Sequence, residues 1–178
     1  SAGAADGPDG SAGPGLFVVT ARTSGVPLRK LFAEGPEPDV RKVVDIARQV
    51  ARALAEAARA GCSHGRLSDS TVLVRSGDGA SSDCRVSVIG FAPWDFGPNA
   101  LRYEPETVAP EVVLGAVSDI KSDCYALGAL LYRMLTGAWP FVAASRESMA
   151  LSHLNDKVAA PSTVRPDRAI PIALDNLV

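Results

Sequence analysis

The sequence predicts a mainly α fold of the α+β class with one short β-hairpin. Three observations predict it. After Asp39, apolar residues recur at helical spacing as far as Ala58. The stretch Asp123 to Leu135, "DCYALGALLYRML", is apolar nearly all round, which marks a helix at the centre of a core. Two β-rich runs, "TVLV" (71–74) and "RVSVI" (85–89), flank the Gly/Ser/Asp turn material of 76–83 and read as a hairpin.

Each element follows from local chemistry. Residues 1–15, "SAGAADGPDGSAGPG", hold small residues, Gly and Pro, and predict a flexible loop or linker; the domain is expected over 16–178. "LFVVT" (16–20) predicts a strand, and "PLRKLF" (27–32) a turn or two of helix. In the long helix 39–60, Asp39 supplies the N-cap, Val40, Val43, Val44, Ala47, Val50, Ala51, Leu54 and Ala58 recur at helical spacing, and Gly61 ends it. Residues 93–108 carry three prolines and little periodicity, which predicts an irregular loop. A weaker helix is expected near 146–154, then a Pro-rich stretch around 161–171 and a helical start at "IALDNLV". No internal repeat is visible.

Composition narrows the function classes. The 178 residues are 47% hydrophobic and 21% charged, a globular balance that suits one domain. A formal net charge of −2 offers no basic field for nucleic acid, so no nucleic-acid partner is expected. Cys62, Cys84 and Cys124 are odd in number and lack C-x-x-C spacing, which favours reduced, buried thiols in a cytoplasmic setting over a disulfide scaffold or zinc site. No apolar run reaches the about 18–20 residues that span a bilayer, so no membrane insertion is expected of this segment.

In this order, four blocks resemble a bacterial Ser/Thr protein kinase. "LFVVTARTSGVPLRKLF" is similar to the last small-lobe strand, the hinge and the short helix after it. "GCSHGRLSDSTVLV" resembles the catalytic loop, whose pattern is His-Arg-Asp-Leu-Lys-x-x-Asn. "VAPEV" (108–112) matches the Ala-Pro-Glu that closes the activation segment, and "SDIKSDCYALGALLYRMLTGAWPF" resembles the central helix. The resemblance covers about residues 16–178. It implies the C-terminal lobe of the kinase-like fold with the N-lobe largely missing and the domain truncated at both ends.

In that family the loop Asp orients the substrate hydroxyl and accepts its proton, while the loop Asn and the Asp of Asp-Phe-Gly hold magnesium. Position by position, His64 and Leu67 match the motif. The catalytic Asp falls on Arg66, the Lys on Ser68, the metal-binding Asn on Thr71, and the Asp-Phe-Gly Asp on Gly90, in the gapless frame "VSVIGFA". Asp95-Phe96-Gly97 would instead require the strand to run through Pro93, which cannot donate to a ladder. Glu104 falls where active relatives have the Thr that meets the catalytic Asp and Lys. Arg66 cannot accept a proton, since guanidinium has no free lone pair and a pKa above about 12. Asp69 is a displaced candidate base, with an exposed loop acid as the plainer reading.

The resemblance also gives structural roles. His64 and Phe91 match the apolar stack that links the lobes. Leu28, Val72, Leu73, Val74, Leu130 and Met134 match the stack around adenine. Asp123 matches the central-helix acid that accepts from the loop backbone, and Glu111 the acid that pairs with an Arg, expected beyond Val178. With the chemical positions replaced, the expectation is a non-enzymatic pseudokinase with no cofactor or metal. It would act as a scaffold phosphorylated by an active Ser/Thr kinase and read by a forkhead-associated (FHA) phosphothreonine-binding domain, as in kinase-like domains fused to MviN-type lipid flippases of peptidoglycan synthesis. Thr20, Thr23, Thr71, Thr107, Thr136 and Thr163 are the principal threonines. The alternatives are a weak, atypical Ser/Thr kinase using Asp69 and Asp95, or an ATP-binding sensor.

Overall fold

The long amphipathic helix is the frame on which the rest is assembled. In the computed structural model, which describes residues 2–5, 15–18, 22–76, 84–91 and 104–178, this helix, α2, runs from Val40 to Arg59. The Asp39 side chain accepts the Lys42 amide at 2.7 Å, and Gly61 takes the left-handed conformation just past the end. Its buried stripe is Val43, Ile46, Val50 and Leu54.

Two antiparallel sheets are present among the described residues. β1 (Ala2–Ala5) pairs with β2 (Gly15–Val18). Ala2–Ala5 thus forms a strand inside the stretch expected to be loop. Pairing uses backbone groups, so alanine and glycine can enter it without large apolar side chains. The second sheet has the order β3-β4-β5, from Val26–Pro27, Val72–Ser76 and Cys84–Val88. β4 and β5 are the expected hairpin, with Val72 opposite Val88 and Ser76 opposite Cys84.

α1 (Leu28–Glu34) follows β3 directly. α3 (Pro110–Val113) is a single turn, and α4 (Ile120–Thr136) is the central buried helix. α4 begins three residues before the apolar run does. Asp119 accepts the Lys121 and Ser122 amides at 2.8 and 3.2 Å while Ser122 returns a contact to the Asp119 amide, a capping box that extends the helix through a polar first turn. α5 (Arg146–Asn155), α6 (Pro161–Val164), a 3₁₀ turn at Pro166–Arg168 and α7 (Ile172–Asp175) complete the chain.

One core joins these pieces. Leu28, Val43, Ile46, Val50, Leu54, Leu67, Val72, Val74, Leu130, Met134 and Leu135 are all buried in it, so α2 and α4 pack together beneath the hairpin. The loop between α2 and β4 is pressed into this core at Leu67, 1% exposed. The result is a helix-rich domain with a small three-stranded antiparallel sheet. No described helix is long and apolar enough to cross a membrane.

Candidate active site

The loop 62–71 is anchored by one carboxylate. Asp123, on the first turn of α4 and 2% exposed, accepts the His64 amide at 2.6 Å and the Gly65 amide at 2.8 Å. An unpaired carboxylate at this depth would cost several kcal/mol, whereas two backbone donors satisfy it and fix the loop. Gly65 takes φ +74°, a left-handed conformation that lets consecutive amides converge on one acceptor.

His64 is fully buried. Its Nδ1 accepts the Arg66 amide at 3.2 Å, so the ring proton resides on Nε2, which donates to the Ile89 carbonyl at 2.9 Å. Burial pushes its pKa down, and the nearby charge of Arg66 pushes the same way. The ring lies 4.6 Å from that of Phe91, with the planes tilted by 50°. The loop and the end of β5 are therefore locked together by one hydrogen bond and one ring contact.

The remaining loop positions turn inward. Ser68 is buried and its hydroxyl meets that of Ser70 at 2.7 Å. Thr71 Oγ1 accepts the Ser68 amide at 2.9 Å and donates to the Ser68 carbonyl at 3.0 Å. Asp69 differs from the exposed loop acid expected as its plainer reading: it is 6% exposed and accepts from Arg29 Nε at 3.1 Å. The reason is α1, whose first turn delivers Arg29 beside the loop, with the Arg29 amide also donating to the Asp69 carbonyl at 3.0 Å. Arg66 is the exception. It is exposed, and among the described residues no carboxylate lies within ion-pair distance of it.

Beside the loop, the residues before α3 close the site. Thr107 Oγ1 donates to the Leu67 carbonyl at 2.8 Å, and both residues are buried. Glu104 reaches Arg29 Nη2 at 3.9 Å, so it has a partner that the expected missing pair did not provide. Glu111 accepts the Ser122 hydroxyl at 2.6 Å, tying α3 to the capping box of α4; among the described residues this hydroxyl, and not an arginine, is its partner. His153 of α5 is held by the Pro105 carbonyl at 2.8 Å and by Tyr125 Oη at 2.7 Å. The cavity between loop and segment has a volume of about 20 Å³, room for about one water and not for a nucleotide.

The described residues do not fit a magnesium ion. Thr71 spends its hydroxyl inside its own turn, and Gly90, at φ +83°, has no side chain and faces the Thr71 methyl, 3.6 Å from where a Cβ would stand. No described cluster of His, Cys, Asp or Glu has the geometry of a metal site. Asp95-Phe96-Gly97 falls in 92–103, outside the described residues.

Sequence reasoning missed Arg29, Thr107, Ser122 and His153. Thr107 was readable from its place two residues before Ala-Pro-Glu. The other three come from elements distant in the chain, and no local pattern announces them.

This clasped loop, stacked histidine and buried central helix are the frame of a kinase-like domain. The chain belongs to the protein tyrosine and serine/threonine kinase family, whose pattern it matches over residues 11–169. It is 31% identical over 172 residues to the serine/threonine-protein kinase pkn3 of Myxococcus xanthus, covering 92% of this chain and 31% of that protein. It is 32% identical over 174 residues to PknD of Mycobacterium tuberculosis, covering 92% of this chain and 24% of PknD. A probable serine/threonine-protein kinase of Clostridium acetobutylicum is 28% identical over 163 residues, 91% of this chain and 24% of the relative. The chain thus spans between a quarter and a third of the length of these relatives. They correct the expectation of a non-enzyme. The relatives that match nearly the whole chain are named as serine/threonine-protein kinases.

Proposed function

We propose that this chain is the large lobe of an atypical Ser/Thr protein kinase that transfers phosphate slowly. The observation that supports this most is the clasp of Asp123 on the His64 and Gly65 amides, which holds the loop in one shape at the core boundary. In the reaction the bond between the terminal phosphorus and the bridging oxygen of the nucleotide breaks. A new bond forms between that phosphorus and a Ser or Thr hydroxyl oxygen, and the hydroxyl proton is released.

Phosphoryl transfer of this kind passes through a loose transition state, so positioning and charge matter more than covalent help. A general base contributes about 10²–10⁴-fold. Arg66 in place of a carboxylate therefore slows the step without removing the rest of the mechanism. Asp69 is the carboxylate that the loop itself offers as proton acceptor. Its carboxylate is held by Arg29 Nε at 3.1 Å, and that contact must open in the transfer step for Asp69 to take the proton. The test is single-turnover transfer from labelled ATP to a Ser/Thr peptide by the intact protein. Transfer reduced in Asp69→Asn but not in Glu56→Gln supports the role of Asp69; equal rates remove it.

The setting remains part of the same proposal. Modification by another Ser/Thr kinase, reading by an FHA-type domain and a place in cell-wall synthesis are consistent with exposed Thr163 in the short helix α6.

A further inference from the structure

We propose that Arg66 binds the terminal phosphate of the nucleotide directly, so that nucleotide binding here does not depend on a divalent metal. This rests on the kinase reading above and extends it to how the phosphates are held.

Nucleotide phosphates bring several negative charges into a cleft, and those charges must be neutralised or left in water. Kinases do so with metal held at two protein positions. Here those positions are Thr71 and Gly90. Thr71 Oγ1 already accepts from the Ser68 amide and donates to the Ser68 carbonyl, and Gly90 offers no ligand atom. Among the described residues of this loop, a cationic side chain can meet the charge instead.

Arg66 is that group. It is two residues beyond His64, on the loop fixed by Asp123, so its backbone is positioned while its side chain stays exposed. The acids around it are already engaged. Asp123 is occupied by two amides, and Asp69 and Glu104 both face Arg29, at 3.1 and 3.9 Å. Arg29 thereby screens two carboxylates that would otherwise repel a phosphate. An unpaired guanidinium on a rigid loop presents two parallel N–H donors, the geometry that matches phosphate oxygens. The residue that takes away a base supplies a cation, and both changes fit one altered way of handling charge.

The test is equilibrium binding of ATP to the intact protein, once in excess EDTA and once in magnesium. Expected are dissociation constants that agree within about threefold between the two conditions. Arg66→Ala should weaken binding in EDTA by about 10- to 100-fold, the loss of a charge-assisted hydrogen bond, with Arg66→Lys between. Arg52→Ala, an exposed arginine on α2, should leave binding unchanged. ATP should bind more tightly than ADP in EDTA, and Arg66→Ala should abolish that difference. Binding that requires magnesium, or that is indifferent to Arg66, overturns the inference and leaves the kinase reading standing. No nucleotide binding under either condition overturns both.

Discussion

Asp123 accepts the backbone amide of His64 at 2.6 Å, a bond between the first turn of the central helix and a loop 59 residues before it in the chain. Because the same carboxylate takes the Gly65 amide at 2.8 Å, one side chain fixes the direction of two successive peptide groups. Replacing it with alanine should strand both donors in the core. Asp123→Ala is expected to lower stability by about 1–3 kcal/mol for each amide left unpaired. The exposed Glu56→Ala should stay within about 0.5 kcal/mol. Urea unfolding of the two variants checks this, and equal midpoints would remove the clasp from the account.

Arg168 should matter almost as much although it is remote from the loop. Its side chain is 8% exposed and donates to the Met134 carbonyl at 3.0 Å, the Leu135 carbonyl at 2.6 Å and the Pro38 carbonyl. These first two belong to the last turn of α4, which has no intrahelical donors to offer them. Arg168→Met is expected to cost about 1.5–3 kcal/mol, the range for a hydrogen bond to a charged group, with more possible only if several carbonyls stay unpaired. Most of the loss should persist at high salt, because the carbonyl bonds remain when the ion pair of Arg168 with Glu37, at 3.3 Å, is screened. A loss that vanishes in 1 M salt would contradict this.

Stability should fall as the solution is acidified through the histidine range. Burial pushes the pKa of both His64 and His153 down, against partial support from the Ile89 and Pro105 carbonyls. Each ring is therefore neutral in the folded chain over a window where the unfolded chain, near its ordinary value of about 6.5, takes up a proton. The unfolded state binds more protons there, so stability is full above that value and is lost as pH drops through it toward the folded pKa. His153→Gln should flatten part of the slope between about pH 7 and 5. Tyr125, pushed up to about 12 by burial, keeps its proton throughout and can donate to His153 Nδ1. An unchanged slope in the variant would show that His153 is not the titrating group.

Much of the scaffold was legible because local signals agreed. α2 was readable to within a residue at each end, since Asp39, the apolar stripe and Gly61 all point to the same bounds. The β4–β5 hairpin was readable from its flanking turn residues. The start of α4 was not, because its first turn is polar and only the reciprocal contact of Asp119 and Ser122 makes it helical. Asp69 was misjudged for a related reason. A short-range reading sees an acid between two serines, whereas its burial depends on Arg29, forty residues earlier. The reading of function erred in taking replaced side chains as the whole of the chemistry, when the fold and the relatives point to a kinase.

If another Ser/Thr kinase modifies this domain, buried hydroxyls should be spared. Thr107 and Thr136 are each 5% exposed and both donate to carbonyls, so phosphate there would have to break the core. Thr163 is exposed. Site mapping after treatment with such a kinase should find Thr163, the likewise exposed Thr23, or segments outside the described residues, and binding of an FHA domain should disappear with phosphatase. Stoichiometric modification at Thr107 in the folded protein would contradict the packing described.

The central claim is tested most directly by incubating the intact protein with labelled ATP and a Ser/Thr peptide and identifying the product by mass spectrometry. The account predicts slow phosphate incorporation on Ser or Thr, further reduced in Asp69→Asn and in Arg66→Ala. Incorporation no greater than that of heat-denatured protein would contradict it.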